Sequence, residues 1–190
     1  MKKLIVLLAL SFSFVGITNA QSYLERPTGS ELSIGVEGAL PLNGWDAYDL
    51  GGNHTKISPF GIGLTVKYAY NFSESFAATL QSGYLFFPGN DLGDGKINTS
   101  QIPIKAGVRL SMNRFYLEPQ AGISSLNVKV KSNDKSLEVS GSTTAFTYAI
   151  GAGVMASQNF DIGLRYEAMS NNGTSGYLGL RLAYCFSLKK

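Results

Sequence analysis

Eight times along the chain, apolar residues fall on every second position while the residues between them are small, polar or charged. A two-residue period belongs to strands whose two faces meet different surroundings. The runs are Glu31–Leu40, Phe60–Tyr70, Phe76–Phe87, Gln101–Leu110, Phe115–Ser124, Thr144–Met155, Phe160–Met169 and the ending from Gly176. In that ending Leu178, Leu180, Leu182, Tyr184 and Phe186 alternate with Gly179, Arg181, Ala183 and Cys185. Helical spacing fits none of the eight better, and the abundance of glycine and β-branched residues opposes helix.

The links alternate in length. "NFSES", "SMNR" and "ASQN" follow the second, fourth and sixth runs, whereas mostly long polar stretches follow the first, third, fifth and seventh. Runs of about ten residues, short turns on one side and longer loops on the other are the layout of an eight-stranded antiparallel barrel in an outer membrane. The fold class expected is therefore all-β, an up-and-down transmembrane barrel forming one domain over residues 21–190.

Residues 1–20 read as a leader outside that fold. Lys2 and Lys3 form a positive start, Leu4 to Ile17 is apolar, and Thr18-Asn19-Ala20 is a small-x-small cleavage site before Gln21. Without Lys2 and Lys3 the 16 bases fall to 14 against 13 acids, a net charge of +1, so the mature chain is no polyelectrolyte. The expected destination is the bacterial outer membrane. Cys185 is the single cysteine, which excludes an internal disulfide and reads as a small buried residue.

Alternation alone does not say which face meets water. A soluble lipocalin-like barrel, binding an apolar ligand inside, alternates too. Three features favour lipid outside. Gly35, Gly61, Gly63, Gly83, Gly107, Gly122, Gly151, Gly153, Gly163 and Gly179 share the polar face, and only Gly38 lies on the other. Small residues make room in a lumen barely wide enough for side chains.

Glu37, Lys67, Lys105, Arg109, Glu118, Asp161, Arg165, Glu167 and Arg181 share that same face. A slip of one residue would turn them all to lipid. At about 2–4 kcal/mol per Arg or Lys at mid-bilayer, the cost reaches roughly 10–20 kcal/mol, above the ~5–15 kcal/mol stability of a typical domain. The third feature is aromatic placement. Tyr70, Phe76, Phe115, Phe160, Tyr184 and Phe186 lie on the apolar face beside the short turns, and Tyr84, Phe86, Phe146 and Tyr148 toward the long loops. They read as belts at the two membrane interfaces.

With "FDIGLRYEAM" and "YLGLRLAYCF" as its last two strands, the chain resembles the small OmpA/OmpX-type outer-membrane β-barrels, a broad porin-like family, over the whole mature sequence. The resemblance implies a barrel in outer-membrane lipid and a terminal signal for the barrel-insertion machinery at Tyr177, Gly179, Leu182 and Tyr184. It would also allow a gate or narrow ion path. Only Ser187 to Lys190 follow the last strand, so it implies no cell-wall tether.

Three finer expectations concern pairing. A Met112-Asn113 turn would set Leu110 opposite Phe115 and gather Glu118, Lys105 and Arg109 into one cluster. Glu167 would pair with Arg181 in preference to an Arg165–Arg181 meeting, and Arg181 would lie near Glu37. The loop after the fifth run would form a hairpin turning at Ser132–Lys135, with Val130 opposite Leu137, Lys129 opposite Glu138 and Ala121 opposite Phe146. Its valines would sit in the lumen phase unless a bulge intervened. Such a hairpin could fold over the mouth or offer an apolar strip to a ligand or partner.

Catalytic signals are thin. His54, the single histidine, lies near Asp46, Asp49 and Ser58 in the first long loop. That set gives a second alternative, a surface lipid-modifying enzyme. No metal spacing, P-loop or dinucleotide fingerprint is present, so no cofactor is expected. The loops carry no basic-aromatic stripe for nucleic acid. A structural or surface-interaction role, without catalysis and with at most a narrow solute path, is the leading expectation.

Overall fold

The computed structural model describes residues 28–42, 45–48, 54–89, 95–132, 138–171 and 173–188. Eight strands close a barrel: β1 (Gly29–Pro41), β4 (Gly61–Asn71), β5 (Phe76–Phe87), β6 (Gly95–Met112), β7 (Phe115–Ser132), β8 (Glu138–Met155), β9 (Phe160–Ser170) and β10 (Thr174–Leu188). Each pairs antiparallel with the next in sequence, and β10 closes on β1 from Ser30–Leu188 to Pro41–Tyr177. The first loop adds a small hairpin, β2 (Asp46–Tyr48) with β3 (His54–Lys56), for which the alternation gave no sign.

The two faces separate by polarity. Leu64 is 63 % exposed on the outer surface, and Ile34, Val36, Ile104, Ile150, Leu164, Leu180 and Leu182 share that surface. Arg109 and Lys105 are 0 % exposed inside. This is the inverse of a lipocalin-type barrel, whose apolar residues line the hollow. All ten aromatics of the two belts are exposed on the outside, and Tyr184 packs on both Phe160 and Phe186. Ala168 shares the outer phase yet is fully buried, standing between Tyr148 and Gly176 on the neighbouring strands.

Three registers differ from those expected. The β6–β7 turn is Asn113-Arg114, with Met112 opposite Phe115 and Leu110 opposite Leu117. Asn113 has φ of 56°, a left-handed conformation that asparagine tolerates and methionine does not, so it sits inside the turn. The β7–β8 pair sets Ala121 against Tyr148 and Val130 against Val139. That register brings Lys131 opposite Glu138 and keeps the parity of every side chain. The β6–β7 ladder holds one register from Gly95–Ser132 to Met112–Phe115, so no bulge intervenes and Val128 stays in the lumen phase, half-buried.

In the third case, β9–β10 sets Glu167 opposite Tyr177, Arg165 opposite Gly179 and Arg181 opposite Gly163. Across this pair each arginine faces a glycine instead of a carboxylate or another arginine. The glycines leave room for the long side chains to turn into the lumen and find partners there.

Candidate functional site

The lumen is the candidate site, and its floor at the short-turn end is ionic. Arg109 of β6 stands across the ladder from Glu118 of β7, and its Nε donates to Glu118 Oε2 at 2.7 Å. Lys67 of β4 pairs with the other oxygen, Oε1, at 2.8 Å, and Gln120 Nε2 donates to it at 2.6 Å. Arg109 also reaches Glu31 at 3.4 Å and lies 4.5 Å over the Tyr116 ring. The Tyr116 hydroxyl donates to Asp161 Oδ1 at 2.7 Å. Arg181 binds Asp161 Oδ2 at 3.0 Å and donates to Thr65 and Ser33 at 2.8 and 2.9 Å.

A second ionic layer lies nearer the long loops. Lys105 pairs with Glu167, whose other oxygen accepts from Gln101 at 2.7 Å. Arg165 Nη2 contacts Glu37 at 2.8 Å, Glu167 at 3.0 Å and the Tyr177 hydroxyl at 3.3 Å. The eight residues expected to form a lumen network therefore lie inside, distributed over two layers.

The expected Glu118–Lys105–Arg109 cluster is corrected: Lys105 leaves it for Glu167 on the opposite wall, and Lys67 takes its place. Glu37 and Arg181 are opposite in register, but Glu37 pairs with Arg165 and Arg181 turns to Asp161. In so narrow a barrel, contacts across the lumen compete with contacts along the ladder.

Above the second layer the filling turns apolar. Trp45 of the first loop is 5 % exposed and packs with Ala39, Leu85, Phe87, Ala145, Met169 and Tyr177 from the barrel wall. Its ring lies 4.5 Å from Phe87, which lies 5.7 Å from Tyr177. Lower down, a cavity of about 20 Å³ remains beside Lys67, Gln81, Tyr116 and Glu118, room for about one water. Among the described residues, the lumen thus runs from an ionic floor to an aromatic cap of buried side chains.

Several of these residues went unread in the sequence. Glu31 opens the first run on the glycine face and balances the lumen at five acids to five bases among the described residues. Tyr116 and Tyr177 also sit at inward parity, so the alternation itself could have found them. A β-carbon at Gly153 or Gly163 would run into Tyr116, and one at Gly61 into Phe87. The glycines are thus sockets for inward aromatic rings. Trp45 had no signal, because no periodicity reaches a loop.

Of the first-loop set, only Ser58 has a described side chain. Ser58 is buried, with its hydroxyl 2.8 and 2.7 Å from the carbonyls of Phe60 and Pro88. That contact ties the foot of the loop to the end of β5. His54 and Asp46 contribute strand backbone, opposite Tyr48 and Lys56, their side chains lie outside the description, and Asp49 lies outside the described residues. Cys185 is a buried free thiol facing the lumen at the short-turn end.

The family model described as "outer membrane protein beta-barrel domain" matches residues 5–184. No curated protein matches. Among solved structures, Ail, the attachment invasion locus protein of Yersinia pestis, is 20 % identical with a TM-score of 0.62, covering 84 % of this chain and 100 % of its own. Ail is also known in complex with the heparin analogue sucrose octasulfate, at 19 % identity and a TM-score of 0.63, with the same coverage. The N-terminal barrel of Pseudomonas aeruginosa OprF is 12 % identical, with a TM-score of 0.57, covering 84 % of this chain and 98 % of that one. At these identities the structures speak for the fold alone, while the family model spans nearly the whole sequence: the chain belongs to the outer membrane β-barrel family.

Proposed function

We propose that this protein is a structural and surface-interacting resident of the bacterial outer membrane, with a sealed lumen and its long-loop end outside the cell. Residues 1–20 direct export and are removed. Tyr177, Gly179, Leu182 and Tyr184 of the terminal strand engage the insertion machinery. The observation that carries the reading is the radial order of the barrel: an unbroken apolar surface outside, and paired charges packed beneath an aromatic cap inside. Such a lumen passes little solute, so the loops are left to do the work. The protein acts by binding, without catalysis.

Ail supports a surface ligand, since a relative of the same fold is known with a heparin analogue. The reading is tested by fractionating the host membranes and measuring planar-bilayer conductance of the refolded protein. Recovery in the outer membrane, with detergent needed for extraction and conductance far below that of an open porin, is expected. Recovery in the soluble periplasmic fraction, or large stable conductance steps, would overturn it.

A further inference from the structure

The outer face of the barrel is ridged with exposed aliphatic side chains, and at one place on β1 the ridge is missing. Gly38 lies there, between Val36 and Leu40, with Ile62 of β4 and Leu180 of β10 on either side in register. A β-carbon added at Gly38 would meet nothing within 4 Å, whereas each inward glycine of the barrel wall, such as Gly35, Gly63 or Gly122, has a neighbour inside that distance. The gap opens into a groove of about 540 Å³, within the roughly 300–1,000 Å³ of sites that hold small molecules. Its floor is the main chain at Gly38. Its flanks are Phe60 and Ile62 on one side and Leu178, Leu180 and Leu164 on the other.

Three features bear on what fills it. Both flanks are apolar, and Glu37, next in sequence, turns its carboxylate inward to Arg165 and gives the groove no charge. Leu40, Leu178 and Tyr166 share a rung, so between the rings of Phe60 and Tyr166 the upper level of the barrel carries leucines. Aromatic rings gather at headgroup depth, and a stretch without them lets a chain pass from the headgroups down into the groove. Left empty, the groove would lose the dispersion contacts of its walls. A second copy of the chain fills it poorly, because a two-fold contact centred here sets groove against groove. A flexible hydrocarbon chain takes the shape of the slot.

We propose that this groove is the seat of one acyl chain of an outer-leaflet lipid, with the headgroup above Leu40 and Leu178 and the chain lying against Gly38. The assignment rests on the outer-membrane reading, since only in a bilayer does hydrocarbon meet this face. Elsewhere the surface is wetted by lipid that exchanges freely, whereas here the chain lies between two walls and stays longer. The opposite wall offers a comparison: Ala106 and Ala121 are paired, outward and small, but each carries a β-carbon.

The full-length mature protein is refolded into nanodiscs of dimyristoylphosphatidylcholine containing a phosphatidylcholine with a diazirine midway along one chain. After illumination, labelled peptides are mapped by mass spectrometry. The expected result is label at Ile62, Leu180 and Leu164 several times that at Ile104, Ile123 and Ile150 on the far wall. Gly38→Leu, which fills the groove, should bring the two walls level, while Ala121→Leu should keep the parent pattern. Circular dichroism shows whether each variant forms the barrel. If Gly38→Leu does not, Ile62→Ala/Leu180→Ala lowers both flanks and carries the same expectation, read at Leu164.

Even labelling around the barrel would overturn the proposal and leave the outer-membrane reading standing. So would a pattern that filling the groove leaves unchanged. Sparse label at the groove, with the protein running as a dimer after chemical crosslinking, would assign the face to a second copy and overturn it too. A folded barrel labelled on neither wall has not met hydrocarbon, and the proposal and the outer-membrane reading would then fall together.

Discussion

Glu118 accepts from Arg109, Lys67 and Gln120 at 2.7, 2.8 and 2.6 Å. Its carboxylate offsets two buried cations, and neither has bulk water to fall back on. Glu118→Gln keeps the shape and removes the charge. It should cost about 3–5 kcal/mol, the usual penalty for leaving a buried charge uncompensated, measured by urea unfolding from lipid vesicles. Adding Lys67→Met should recover part of that loss, because one stranded cation leaves with it. A second test concerns Tyr116, whose ring occupies the space a side chain at Gly153 would need. Gly153→Leu should cost about 1–3 kcal/mol by overpacking. In a Tyr116→Ala background the cost should largely vanish, a non-additivity that a double-mutant cycle reads directly.

Among the elements, β10 was the most legible in the sequence, and the β7–β8 extension the least. From Leu178 to Phe186 the alternation has no exception, and burial follows it residue by residue. Leu180→Arg, on the outer surface in the middle of this strand, should cost about 2–4 kcal/mol in the same unfolding assay, while Leu180→Ile should cost little. The registers were harder to read, because a hydrophobic pattern fixes parity but leaves shifts of two residues open. Turn chemistry decides those shifts, and at Asn113 the clue was a residue able to take positive φ. Partners across the lumen, such as Lys105 with Glu167, depend on which strands face each other through the barrel, which sequence adjacency does not encode. Beyond the mouth, β7 and β8 continue to Lys131–Glu138, where neither lipid nor lumen constrains them. Excising residues 129–140 and joining Val128 to Gly141 should leave barrel stability within about 0.5 kcal/mol of the parent. A larger loss would mean that the extension supports the barrel.

The whole molecule is a bilayer-facing apolar surface around a filled ionic core, and the filling has a consequence for salt. Ion pairs exposed to water weaken as ionic strength rises, because the screening length falls from about 10 Å at 0.1 M to about 3 Å at 1 M. In an open channel, lumen charges would feel that change. Here Arg109, Lys105, Glu37 and Glu167 are at most 1 % exposed, beneath a cap of Trp45, Phe87 and Tyr177. Mobile ions cannot enter among them without unpacking the wall. Unfolding free energy in neutral-lipid vesicles should therefore change little between 0.1 and 1 M sodium chloride, by less than about 1 kcal/mol, the scale of a single exposed pair. Trp45→Ala supplies the contrast. If the cap is what keeps the second ionic layer dry, removing the indole lets water and salt reach Glu37 and Arg165, and the salt dependence should rise. A wild-type stability that falls steeply with salt would instead place these charges in a water-filled lumen.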